Sequence, residues 1–488
     1  MPWVQIPPLG PKRGLPNGSP LFSYLRMKGE RDRRMQKHRD RHEYLTQTPI
    51  PRLIGELSVP TIISMLVTGI YNSADTYFVG RISTQATAAV GLVFTVMAII
   101  QALGFFCGHG SGNYLSRLLG AGKNQEADEI AATGFALALG IGVAVAALGN
   151  RFAPQLADLI GATDSARADT MAYMRIILLG APFMVGQFVI NNQLRFQGSA
   201  FYAMVGLMCG AVINIALDPL LMFTLGLGVR GAAIATVCGQ IVSFIALLVG
   251  SGRGENIHLR ARNVRISAAN LWQIVNGGMP SLARQGLAAV STLLLNRYAR
   301  LYGGDAAIAG MSIVTRVLML LASALIGFGQ GYQPVCSYNY GAGRYDRVRE
   351  GYRFCVKYGT LLMAFAAAIC LVGADPIVGW FRDDPEVVAV GAAALRWQAA
   401  ALPLLATSVL TNMMLQATGK GVRASITSSA RNGIFFIPFI LILPRCFGLL
   451  GVEMTQTWAD VLTFLLCLCV MRGEWRKLGA QAKKAKEG

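Results

Sequence analysis

Runs of predominantly apolar residues, each about 20 long, follow one another along the chain at roughly 57–79, 86–112, 129–149, 172–193, 203–225, 231–250, 275–301, 306–332, 353–373, 388–414, 428–446 and 450–471. A run of that length crosses the hydrocarbon core of a bilayer as a helix, where each backbone polar group has to be satisfied inside its own segment. The pattern predicts an all-α integral membrane protein with twelve transmembrane helices. Composition agrees, since only 14% of the 488 residues are charged, against about 25% in soluble domains.

The formal net charge of +19 could suggest nucleic acid, but the cations sit in short clusters between apolar runs. These are the N-terminal segment, Arg117/Lys123, Arg195, Arg253/Arg260/Arg262/Arg265, Arg344/Arg347/Arg349, Lys420/Arg423 and the tail from Arg472 to Lys486. They all fall on one side of the predicted membrane, whereas the longer loops of the other side carry Asp158, Asp164 and Asp169, or Asp375, Asp383, Asp384 and Glu386. That asymmetry points to the lipid bilayer and its anionic headgroups as partner, not nucleic acid, and puts both termini in the cytoplasm of a multi-pass protein of the cell (inner or plasma) membrane. The first 49 residues hold no apolar run long enough for a signal peptide. Met27 opens the basic stretch MKGERDRRMQKHRDR and would serve as a start, so residues 1–26 are expected to be a non-functional extension.

No chemistry of an enzyme is visible. The nine Cys lie mostly in apolar stretches, Cys467 and Cys469 have neither zinc nor redox spacing, and the four His are scattered. No phosphate-binding G-x-x-x-x-G-K-[ST] loop or nucleophile motif occurs. No cofactor is expected.

The chain repeats itself. The separation that carries Gly108, Gly110, Gly120, Ala121 and Gly122 onto Gly329, Gly331, Gly341, Ala342 and Gly343 also carries Arg175, Pro182, Asn191 and Gly198 onto Arg396, Pro403, Asn412 and Gly419. Each repeat has six spans, an even number, so both enter the membrane from the same side and are related by a pseudo-twofold axis along its normal. The expected organisation is a basic N-terminal segment (1–52), a first lobe (53–250), a linker (251–272), a second lobe (273–471) and a basic tail (472–488). Two such bundles suit a transporter with its substrate path between them, while a duplicated channel or structural protein stays open as an alternative.

A carboxylate in hydrocarbon costs at least about 2.5 kcal/mol, which makes an acid inside a span a functional candidate. Asp75 lies near the end of span 1 and Asp218 within span 5. At 1.5 Å per residue they stand about 27 Å beyond Leu57 and about 23 Å beyond Ala203, so both belong to the outer half of the first lobe. Tyr71 and Asn214 each precede an acid by four residues and share its helix face. Thr236, early in span 6, reaches the same depth. Carboxylate, amide and hydroxyl oxygens replace the water shell of an alkali cation such as Na+; without a metal ion, mutual repulsion and desolvation favour holding a proton instead. Asp218 could equally mark a helix end before Pro219, Asp75 an interhelix hydrogen bond, and Thr236 a bond to its own backbone.

The repeat places Asn296, Phe435 and Phe439 where the first lobe has Asp75, Asn214 and Asp218, so ion coupling is expected in the first lobe alone. In the second, Arg284, Arg316, Gln285 and Asn412 are candidates for lining the substrate cavity. The two arginines could instead brace helix carbonyls, with Asp460 of span 12 as a partner for one of them. Arg431, near a span end, could snorkel.

These residues resemble the multidrug and toxic compound extrusion (MATE) family, in its MepA-like bacterial branch, over almost all of Ile54 to Arg472. The resemblance is carried by PTIISMLVTGIYNSADTYFVG, LLGAGK, NNQLRFQG, NIALDPLL and GAAIAT in the first half, and by GMPSLARQG, LIGFGQGYQPVCSYNYGAGR and LQATGKG in the second. It implies a V-shaped pair of six-helix bundles that exports small organic, usually cationic, compounds in exchange for H+ or Na+. Under it Asp75 looks like the essential first-span acid, Asn214 and Asp218 like the fifth-span pair, Thr236 like the sixth-span cation ligand, and Asn191 like the fourth-span Asn. Counting along span 4 puts Asn191 near the cytoplasmic end, so only a helix kinked at Pro182 would bring it to Asp75. The expected function is secondary active antiport by a monomer. Alternatives are a flippase for a lipid-linked saccharide or other anionic amphiphile, and an ion channel or receptor.

Overall fold

The computed structural model describes residues 41–252, 256–257 and 259–487, together with all their side chains except those of 70–74, 76, 84 and 486. Met27 and the basic stretch up to residue 40 lie outside the described residues. Helix α1 covers 41–47. The first lobe holds α2 (Ile50–Gly80), α3 (Thr84–Gly120), α4 (Asn124–Arg151), the short α5 (Ala153–Leu159), α6 (Arg167–Phe196), α7 (Ala200–Pro219) and α8 (Gly228–Gly252). The second holds α9 (Ala268–Gly341), α10 (Tyr345–Val372), α11 (Ala374–Phe381), α12 (Pro385–Ala417), α13 (Gly421–Ser429), α14 (Phe436–Phe447) and α15 (Leu449–Glu487).

Eleven of the described stretches are long and apolar enough to cross a bilayer. One of them, α9, runs for 74 residues and is broken at Gly304, whose φ of 63° and ψ of −153° are open to glycine. Both arms of α9 exceed the length of a span, so it crosses twice and the chain makes twelve crossings. The helices also outrun the apolar windows: α2 starts at Ile50 and α3 continues to Gly120, and these extensions join the lobes.

Three apolar cores give the molecule its V. One belongs to the first lobe, with Val93, Ile100, Tyr173 and Val185, and one to the second, with Met311, Leu395, Leu402 and Phe436. The third joins both lobes at the end that carries the chain termini, packing Leu45, Leu53 and Leu115 against Tyr332, Val335 and Met414. Polar contacts cross the same seam. Ser58 and Thr61 donate to the carbonyls of Phe328 (3.1 Å) and Gly327 (2.7 Å), Arg117 to that of Ala417 (3.1 Å), and the buried Arg195 to Gln330. Helix α1 caps the seam: Asn339 donates to the Leu45 carbonyl at 3.0 Å and His42 meets the Tyr338 hydroxyl at 3.2 Å.

The repeat read from the sequence is visible in these bonds. Ser116 donates to the Pro334 carbonyl (3.4 Å), and its repeat mate Ser337 to the side-chain oxygen of Asn113 (3.1 Å), the repeat mate of Pro334. A Cβ on Gly120 would be driven into the Tyr338 carbonyl, and one on Gly341 into the Arg117 carbonyl, again a repeat-related pair. Only glycine lets the two backbones touch there.

The C-terminal segment read as a basic tail is the continuation of α15. Glu474, fully buried, receives Lys420 and Arg423, and Leu478 is fully buried beyond it. Sequence counting had treated these charges only as topology markers.

Candidate functional site

The site of the first lobe is built on close helix packing. A Cβ on Gly210 would lie 2.5 Å from the Gly239 carbonyl oxygen, and one on Gly239 would lie 2.8 Å from the Gly210 carbonyl oxygen. The backbones of α7 and α8 therefore meet, and Asn214, one turn past Gly210, comes beside Thr236 and Gln240. These residues, with Val67 and Thr68 of α2 and Gln187 of α6, line a cavity of about 40 Å³. That space admits an ion or a few waters, and is far below the 300–1,000 Å³ or so of an organic-ligand pocket.

One turn beyond, Asp218 is fully buried, and Pro219 ends the regular α7 in a wide turn over Leu220–Thr224. Neither carboxylate oxygen of Asp218, neither amide atom of Asn214 and not Oδ1 of Asp75 has a hydrogen-bond partner among the described residues. Buried polar groups of native proteins are nearly always paired, and here five such atoms on two neighbouring helices lie together without a partner. Asp218 feels the charge of Asp75, and the Tyr173 phenol of α6 approaches Asp75. Thr236 donates to the Ala232 carbonyl at 3.0 Å, which leaves the lone pairs of its oxygen for a cation. The side chain of Tyr71 lies outside the described residues.

The structure does not bring Asn191 to the acids. Its amide donates to the Ala203 carbonyl at 3.0 Å and pegs α6 to the start of α7. Asn412, assigned to the cavity from sequence, is its repeat mate in contact as well as in position, donating to the Ala424 carbonyl at 2.6 Å and to Thr427 and Ser428. Each amide thus adds a side-chain bond between its own helix and the first turn of the next, and at Ala424 the Thr427 hydroxyl shares the carbonyl at 3.1 Å. We expect Asn191→Ala to lower stability by about 0.5–1.5 kcal/mol, the net worth of one lost hydrogen bond, and to leave transport per folded molecule unchanged. Lost transport at full stability would restore the coupling role.

In the second lobe Arg284 and Gln285 are partly buried and Arg316 is exposed. The Gln285 amide nitrogen has no partner among the described residues. Asp460 pairs with neither arginine; Arg431 holds it through two bonds of 2.7 and 3.4 Å, and Gln456 adds a third at 2.9 Å. Arg431 thus has an ion-pair partner and does not simply snorkel. Sequence reading also passed over Gln187 and Gln240, each with an unpartnered buried oxygen, the buried Glu453 and Tyr173. An amide or phenol in an apolar run carries no charge to flag it, and only the rotation of its helix turns Gln187 and Gln240 to the cavity and Tyr173 to Asp75; Glu453, a carboxylate inside span 12, was open to the same charge argument as Asp75 and Asp218.

Two homologous helical lobes, joined at one end and with acids that have no hydrogen-bond partner among the described residues in the first of them, define a membrane transporter. The MatE family profile matches residues 60–220 and 280–442, and the chain belongs to that family. The multidrug export protein MepA of Staphylococcus haemolyticus (strain JCSC1435) is 27% identical over 430 residues, covering 88% of this chain and 94% of its own. Among solved structures, a MATE protein in the bent conformation matches with a TM-score of 0.85 at 26% identity, over 91% of this chain and 99% of its own. An outward-facing multidrug resistance MATE family transporter of the MOP superfamily matches with a TM-score of 0.84 at 26% identity, over 90% and 98%.

Proposed function

We propose that the chain is a secondary active antiporter that exports small organic compounds, cationic or amphiphilic, in exchange for H+ or Na+. The observation that carries this reading is the unpartnered set Asp75, Asn214 and Asp218 in the first lobe. A cation, with Thr236 as a further ligand for Na+, supplies what these oxygens lack in the protein. The neighbouring cavity is too small for cargo, which leaves the cleft between the lobes as the substrate path. With the basic clusters on the cytoplasmic side, the joined end faces the cytoplasm and the cleft opens outward, the state in which an exporter releases cargo and takes up its ion. The multidrug export named for MepA agrees with this direction of transport.

A flippase for a lipid-linked saccharide or other anionic amphiphile is the second reading. It draws on Arg284 and Arg316, which have no ion-pair partner among the described residues.

The test is export by the purified monomer in liposomes under separately imposed proton and sodium gradients. Uphill movement of an organic cation driven by either gradient is the expected result. Movement of an anionic amphiphile without any ion gradient would favour the flippase, and no uphill movement of either kind would sink the antiporter.

A further inference from the structure

At the joined end a second, larger hollow of about 530 Å³ opens on the outer surface between the lobes. One wall is Ile50 and Pro51 at the start of α2, and the other is a face of α10 that presents Asp346, Arg349, Glu350, Arg353, Lys357 and Tyr358. We propose that this groove binds the headgroup of a phospholipid carrying a primary amine beyond its phosphate, the phosphatidylethanolamine class.

Depth places Arg353 at the edge of the hydrocarbon core, with Lys357 inside it and Arg349, about 35 Å from Val372 along the helix, just on the water side. Counting back from Val372, the far end of α10, at 1.5 Å per residue puts Lys357 at about 23 Å and Arg353 at about 29 Å, against a hydrocarbon core of about 30 Å. Glu350 and Asp346, at about 33 and 39 Å by the same count, stand on the water side. Tyr358, 47% exposed, is an aromatic anchor of the kind that belongs at this boundary.

The cations are held and unpaired. Arg349 and Arg353 stack over the Trp475 ring at 4.5 and 4.8 Å from its centroid, and Trp475 is fixed beside Tyr352 and next to the buried Glu474. Among the described residues no carboxylate lies within ion-pair distance of Arg349, Arg353 or Lys357, and the buried Nε of Arg349 has no partner. Of the other cations near Asp346 and Glu350, Arg347 is engaged by Asn339 and the Thr48 carbonyl, and Arg344 is exposed at the water side. Guanidinium planes fixed in this way are preorganised donors for a phosphate.

The two acids decide the headgroup. They would repel a purely anionic one, whereas a primary ammonium one helical turn nearer the water has three N–H donors to give them. A choline headgroup has none. The ligand would touch both lobes, since Ile50 and Pro51 belong to the first and α10 to the second.

The test is native mass spectrometry of the full chain in detergent, titrated with phosphatidylethanolamine, phosphatidylcholine or glycerophosphoethanolamine. The wild type should hold one phosphatidylethanolamine at least about tenfold more tightly than phosphatidylcholine, a difference set by charge-assisted hydrogen bonds. R353Q/K357Q should lose about tenfold or more, the conservative R353K/K357R should regain most of it, and D346N/E350Q should bind both lipids alike. Equal binding of the two lipids by the wild type, or unchanged binding by R353Q/K357Q, would overturn the proposal. So would glycerophosphoethanolamine competing as well as the lipid, which would make the ligand a soluble phosphate ester.

Discussion

Asp75→Asn abolishes uphill export in liposomes, down to the level of protein-free vesicles, while the purified variant still binds substrate within a few-fold of wild type. The reasoning is thermodynamic. An imposed gradient supplies about 2.3 kcal/mol per charge per 100 mV, but it drives cargo only if ion binding favours one conformation over the other. Asp75 and Asp218 are the groups whose charge an ion can change, and Asp218 has no donor from the described residues to replace that ion. An amide at position 75 keeps the shape of the side chain and removes its ability to take a proton or to neutralise Na+. Loss by misfolding is not expected, because deleting a charge from a poorly solvated interior relieves desolvation. Thermal unfolding at or above the wild-type temperature separates the two explanations. An Asp75→Asn protein that concentrates substrate at the wild-type rate would remove the site from the mechanism, and Asp218→Asn is expected to behave in the same way.

The spans and the repeat are legible in the sequence because hydrocarbon allows no alternative to a long apolar helix, and because Gly120 and Gly341 are forced by the same backbone contact in both halves. Asp75 and Asp218 are legible for a related reason: charge inside such a run is rare and costly. Other features depend on which way a helix is turned, and a helix apolar on nearly every side hides that. Thus Asn191 matched a family position yet faces Ala203, Asp460 binds Arg431 and not Arg284 or Arg316, and Gln187 and Gln240 face the site unannounced. The extensions Ile50–Glu56 and 113–120 were lost to the window itself, which stops where polar residues begin although the helix continues. Those extensions hold the seam.

Gly120→Ala is the substitution expected to disturb that seam most. The added methyl would occupy the space of the Tyr338 carbonyl oxygen, a backbone atom that moves only if α3 or α9 moves as a whole. Relief requires the helices to part, and parting takes with it Ser116 to Pro334, Ser337 to Asn113 and the shared core around Leu115 and Val335. Overpacking of this kind costs about 1–3 kcal/mol, which at 1.4 kcal/mol per factor of ten turns a seam that is almost always closed into one that opens about 5- to 150-fold more often. Cys336, fully buried beside the seam, reports the opening. A water-soluble maleimide, with the adduct located by peptide mass mapping, should leave Cys336 unmodified in the wild type and label it in the variant. The repeat makes a second demand, since Gly341→Ala meets the Arg117 carbonyl in the same way and has to give the same labelling. Protection of Cys336 in both variants, with normal transport, would mean that the two backbones are further apart in the membrane than described.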